Sequence, residues 1–137
     1  MGLDNGIIVN VDGKALWKKK VAKIATVDEF FPFELVGNCY EICYWRKHWN
    51  LRNLFRRAWG LANDETTYYE LSVEHLKKAI KILKTRNKEN WEDDGGCFFE
   101  YSYITKIRLN AQARQLKKLI KLKKKFPTMP IYFYDSY

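Results

Sequence analysis

No stretch of the chain approaches the roughly 18 consecutive apolar residues that a membrane-spanning helix needs. The apolar stretch Ile7-Ile8-Val9 is too short for a secretory leader, and Asp4 stands where a basic region would precede one, so the sequence predicts a cytoplasmic protein. Cysteine is sparse and odd in number. Cys39, Cys43 and Cys97 are spread over 137 residues, which fits reduced thiols and not a disulfide framework. Histidine is limited to His48 and His75, and the chain has no Walker A loop, no G-x-G-x-x-G and no H-E-x-x-H. Carboxylates are scarce as well. With 16 Asp and Glu against 25 Lys and Arg the net charge is +9, which favours anionic partners and excludes an acidic mimic of DNA.

Apolar material is plentiful: 47% of residues are hydrophobic and 16% aromatic, enough to offset the ordering entropy of one domain of this length. Gly6 to Val11 is β-branched and lies between Asn5-Gly6 and Asp12-Gly13, so it reads as a short strand between turns. Lys14 to Phe33 fits strand as well as helix, and Gly37-Asn38 marks a turn entering another strand. Apolar residues then recur at helical spacing from about Tyr44 to Trp59, with Gly60 as the stop. Leu61 to Leu71 reads as a polar loop with an aromatic tether at Tyr68-Tyr69.

Ser72 offers an N-cap to a helix whose stripe is Val73, Leu76, Ala79, Ile80 and Leu83. Asn87 to Gly96 is acidic and turn-rich. A third helix is predicted from about Tyr103 to Lys125, ended by Pro127, and the aromatic tail Ile131 to Tyr134 is expected to pair in a sheet. The resulting expectation is a single α+β domain over residues 1–137, in which N- and C-terminal strands share a small antiparallel sheet packed against about three helices.

Basic residues fall in four blocks, near Lys14–Lys23, Arg46–Arg57, Lys77–Lys88 and Lys106–Lys125, and the last block contains no acid at all. On a helical wheel Lys106, Arg114, Lys117, Lys121, Lys124 and Lys125 form one stripe, without the opposite-sign neighbours that relieve repulsion. Such a stripe is either a solvated face or a seat for an anion. The second block joins Arg46, Arg52, Arg56 and Arg57 to Trp45, Trp49 and Trp59, a composition suited to gripping phosphate while stacking a base. Equally, the tryptophans belong to the core and the arginines cover their edges. The predicted ligand site comprises Arg46, Arg52, Arg56, Arg57, Trp45 and Trp49, with Lys117 and Lys121 adding field.

Cys39, Cys43 and His48 lack a standard zinc spacing, and no catalytic constellation is legible, so neither metal, cofactor nor enzyme is expected. Met1-Gly2-Leu3-Asp4, Tyr44-Trp45-Arg46-Lys47 before a helix, Gly96-Cys97-Phe98-Phe99 and the terminal Tyr132-Phe133-Tyr134-Asp135-Ser136-Tyr137 occur in a familiar order. The chain resembles a group of small bacteriophage-encoded proteins that begin M-G-L-D and carry Y-W-R-K, a group with no established activity. The resemblance implies a phage origin and a host-takeover or anti-defence role in the bacterial cytosol. Three functions follow as expectations: capture of a phosphate-bearing nucleotide ligand, inhibition of a host nuclease or defence complex through Tyr68-Tyr69 or the tail, and nonspecific nucleic-acid binding.

Overall fold

The computed structural model describes residues 4–24, 33–46, 49–61, 68–86 and 106–136. In chain order the described elements are β1 (Asp4–Asn10), α1 (Ala15–Ala22), β2 (Phe33–Val36), β3 (Cys39–Arg46), α2 (Trp49–Trp59), β4 (Tyr68–Glu70), α3 (Val73–Arg86), α4 (Lys106–Lys125) and β5 (Ile131–Ser136). The strands form one antiparallel sheet in the order β2-β3-β1-β5-β4, so the fold is α+β with the first and last strands paired at its centre. The expected sharing of one sheet by the terminal strands is what the structure contains.

The alternation of side chains decides what each face of the sheet does. Paired positions share a face, so Asn5 lies with Trp45 and Asp135, Ile7 with Cys43 and Phe133, and Val9 with Ile131. This face packs on α2, as the Phe55 contacts with Trp45 and Phe133 show, at ring-centroid distances of 5.2 and 6.2 Å. On the other face Gly6 sits between Tyr44 and Tyr134, with Tyr68 beyond. A Cβ at position 6 would collide with the Cys43 carbonyl and press on the Tyr134 ring, so glycine is required by close approach. The Tyr134 hydroxyl donates to Glu41 Oε2.

Each helix contributes an apolar stripe at the spacing its sequence announces. Leu51, Phe55 and Trp59 of α2, Leu76, Ala79, Ile80 and Leu83 of α3, and Leu109, Ala113, Leu116 and Ile120 of α4 join the strands in one buried cluster. Trp17 and Val21 bring α1 to the C-terminal end of α4, where the Trp17 and Phe126 rings stand 6.0 Å apart.

Two expectations need correction, and one alternative left open is resolved. Tyr44 to Arg46 extend β3, so the second helix begins at Trp49, because pairing with β1 overrides the helical spacing of the aromatics. Tyr68 to Glu70 form the edge strand β4 and not a loop, held by Tyr132, Phe133 and Tyr134 of β5. Within the ambiguous stretch after Lys14, residues 15–22 are helical and Phe33 begins a strand. The readings placed on Asn87 to Gly96, Cys97 to Phe99 and Tyr103 to Thr105 lie outside the described residues.

The face occupied by Asn5, Trp45 and Asp135 is polar yet sealed. Arg52 Nε donates to Asp135 Oδ2 at 2.8 Å and Arg56 Nη1 donates to the same oxygen at 3.2 Å, with all three side chains buried. Asp135→Asn removes the negative charge and leaves two guanidinium groups in the interior; chemical denaturation of this variant is expected to show a loss of about 3–5 kcal/mol.

Candidate anion-binding surface

The predicted ligand residues separate into two groups. Arg52 and Arg56 are only 5% and 3% exposed and point inward to Asp135, so the expected phosphate grip by these two arginines is overturned. The physical reason is that α2 places positions 52 and 56 one turn apart over β5, where a carboxylate waits. Trp45 is 2% exposed, packs on Phe55 and donates its indole N–H to Gln112 Oε1 at 2.8 Å, which removes it as a base-stacking surface. Arg57 is exposed on α2. Arg46 lies in β3 and Trp49 opens α2, but their side chains lie outside the described set.

Lys117 and Lys121 do lie on an open surface, and it is this surface that gathers charge. The long helix α4 buries Leu116, Leu119, Ile120 and Leu122, together with the polar Gln112 and Gln115. Its exposed arc from Arg114 onward therefore consists of Arg114, Lys117, Lys118, Lys121, Lys124 and Lys125. No carboxylate lies within ion-pair distance of any of them among the described residues.

Packing of α1 beside α4 adds lysines from a distant stretch of sequence. A groove of about 270 Å3 runs between the two helices, with Ile24 and Leu122 as its floor and Lys20, Lys23, Lys118, Lys121 and Lys125 around it. The Lys20 ammonium is held below the usual lysine range, chiefly by Lys125 and then by Lys23, with smaller contributions from desolvation and Lys19. The Lys84 ammonium, on α3, is likewise held below the usual lysine range by Lys117 of α4, with a smaller contribution from desolvation. Two ammonium groups so placed repel unless an anion comes between them.

The sequence reading missed Lys20, Lys23, Lys118 and Lys125 as members of one groove. The spacing 114/118/121/125 is visible in the sequence as a row on one helix face, but the neighbour across the groove is set by the Trp17–Phe126 contact. Arginine chemistry drew attention to α2, although a guanidinium pair suits a buried carboxylate as well as it suits a phosphate.

Burial pushes the Cys43 thiol up, with Glu41 adding to the effect, and Cys43 Sγ lies 3.9 Å from Gln115 Oε1. Cys39 is half-buried, and the described residues contain no cluster of three His, Cys, Asp or Glu able to hold a metal. Within the tail Phe133 is 1% exposed at the centre of the core, while Tyr132 and Tyr134 are half-buried. Tyr68 is exposed, whereas Tyr69 is tied to His75. No helix among the described residues is long and apolar enough to cross a membrane.

Ser72 and His75 form a reciprocal cap on α3. The Ser72 backbone N–H donates to His75 Nδ1 at 2.9 Å, the His75 N–H donates back to Ser72 Oγ at 3.3 Å, and Nε2 meets the Tyr69 hydroxyl at 3.2 Å. Histidine here stands where Glu or Gln completes a capping box. An Nδ1 that accepts a backbone N–H must keep its lone pair, and desolvation, followed by Lys78, lowers the proton affinity of the ring.

No protein-family model matches the chain, and no curated protein and no solved structure is similar to it at the level that would carry an assignment. The geometry of its own side chains is what a functional reading has to rest on.

The cap makes a pH prediction. The unfolded chain takes up the His75 proton near pH 6.5, while the folded ring resists it to a lower pH. The stability contributed by this difference is complete above that pH and declines as the pH falls through the folded value. His75→Gln keeps the capping geometry without the titration, so denaturation curves of variant and wild type should run parallel above pH 6.5 and diverge only below it.

Proposed function

We propose that the protein is a non-catalytic binder of a phosphate-bearing ligand, held on the lysine surface of α1 and α4. The observation that carries this reading is the convergence of Lys20, Lys23, Lys118, Lys121 and Lys125 on one groove, with no neutralising carboxylate among the described residues. Self-repulsion among these lysines costs stability in the free protein, and a bound polyanion recovers it. Ammonium groups on flexible stems suit phosphate as point charges, without the planar two-bond match that arginine would impose. The apolar floor of Ile24 and Leu122 supports the aliphatic stems of the lysines while their heads reach the ligand.

This reading keeps Lys117 and Lys121 from the predicted site and replaces Arg52, Arg56 and Trp45 by the lysines of α1 and α4. The resemblance to small phage-encoded proteins supports a setting in the host bacterial cytosol, where sequestering a phosphate-bearing molecule serves host takeover or anti-defence.

Thermal unfolding with and without sodium tripolyphosphate, at matched ionic strength, tests the reading. The ligand at a hundred times its Kd should stabilise the wild type by about 2.7 kcal/mol. The Lys20→Glu/Lys121→Glu variant should melt at or above the free wild type and show no response, whereas Arg57→Ala should respond like wild type. A wild type that does not respond to tripolyphosphate overturns the reading.

A further inference from the structure

Spacing along the α1–α4 groove sets how much negative charge it can match. Lys118, Lys121 and Lys125 stand in one row on the side of α4 that borders the groove, and at 1.5 Å per residue this row is about 10 Å long. Lys20 and Lys23, the latter the C-cap residue of α1, line the other side. Five ammonium groups therefore share a surface about 10 Å long, and the Lys20 ammonium already responds to Lys125.

A nucleic-acid strand matches this density poorly. Its diesters carry one charge each, about one per 3.4 Å along the axis, so it brings no more than about three charges to the row. Phosphates linked directly to one another do better. Each bears one strong charge and a terminal phosphate adds a second ionisation at about pH 6, so three linked phosphates bring about four to five charges. Resting on the phosphate-binding reading, this comparison narrows the class of ligand. We infer that the groove takes a compact oligophosphate group, free or at the end of a nucleotide, in its metal-free form and without reading the attached base.

The lining of the groove accounts for both restrictions. Among the described residues it consists of lysine, isoleucine and leucine, with no aromatic ring, hydroxyl or amide side chain. Bases are held by stacking on aromatic or guanidinium planes and identified by hydrogen bonds to their edges. Ile24 and Leu122 are buried beneath the lysine stems, and the ammonium groups are taken up by phosphate, so a base projects into solvent unread. Magnesium on a nucleotide is ordinarily shared between its phosphates and one or two carboxylates. The groove offers no carboxylate among the described residues, and a divalent cation there would add charge of the same sign as the five lysines.

Isothermal titration calorimetry at about 50 mM salt, with and without excess magnesium, decides the matter. The ligands are sodium tripolyphosphate, the four ribonucleoside triphosphates, and a thymidine tetranucleotide with unphosphorylated ends, whose three phosphates are all diesters. Without magnesium, the triphosphates should bind within about threefold of one another, and tripolyphosphate should bind at least about tenfold more tightly than the tetranucleotide. Excess magnesium should weaken every triphosphate. Lys118→Gln/Lys125→Gln should weaken tripolyphosphate at least about tenfold, whereas Arg57→Gln/Lys77→Gln, which removes the same charge from exposed positions on α2 and α3, should bind as wild type does. Circular dichroism checks that both variants are folded. A tetranucleotide that binds as tightly as tripolyphosphate, a preference of more than about tenfold for one base, or tighter binding with magnesium overturns the inference while the phosphate reading stands. Failure of every ligand to bind, or an equal loss in both double variants, overturns the phosphate reading as well.

Discussion

The single carboxylate of Asp135, shared between Arg52 and Arg56, is the contact on which the arrangement of α2 over the sheet depends. Two guanidinium groups are tolerable in the interior because that carboxylate, carried by the interior strand β5, meets them. Orientation follows from this. The arginines hold α2 in register with β5, and Leu51, Phe55 and Trp59 of the same helix then fall against Trp45 and Phe133. Nearby polar groups follow the same logic. Asn5 Nδ2 donates to the Trp45 carbonyl at 3.0 Å, and the Trp45 indole reaches Gln112, so polar atoms tie β1 to β3 and β3 to α4 inside an otherwise apolar core.

The interior thus holds matched charges while the helical surface holds unmatched ones. Arginine is used where a rigid fork meets a carboxylate, and lysine where charge stays hydrated. Lys123 shows the contrast within one helix, since its ammonium donates to the carbonyls of Pro127 and Met129 and closes the C-terminal end of α4. Lys118, Lys121 and Lys125 are exposed, the last with its ammonium 5.7 Å from the centre of the Phe126 ring. A stripe of this kind persists because the apolar arc opposite it, from Leu109 to Leu122, supplies more packing than the repulsion removes.

Periodicity and punctuation made much of the fold legible. Ser72 and the stripe from Val73 to Leu83 announce α3, Pro127 closes α4 near its true end, and the β-branched and aromatic terminal segments read as strands. The misreadings share one cause. Tyr44 and Trp45 carry a spacing that suits a helix, but β1 supplies a pairing partner that local sequence does not show, and Tyr68 to Glu70 become a strand only because β5 lies beside them. The site was legible in part for the same reason. The exposed stripe of α4 follows from its own sequence, whereas the burial of Arg52 and Arg56 depends on a residue 83 and 79 positions away, and the groove depends on α1 docking across α4. Gln112 and Gln115 illustrate the limit from the other side. They look like surface residues in a one-dimensional pattern and are 2% and 1% exposed.

The position of β5 between β1 and β4 has a consequence for how the molecule is made. Strand β1 is synthesised before the other strands of the sheet, yet one of its two edges stays vacant until residues 131–136 arrive, and β4 has no other strand to pair with among the described residues. During translation the helices can coil as they emerge, but the layer they are to cover is incomplete. Closure of so long a loop is slow compared with local helix formation. Assembly of the sheet is therefore a late event, and a nascent chain halted before Ile131 would expose Ile7 and Val9 along an open edge, the kind of surface that chaperones hold.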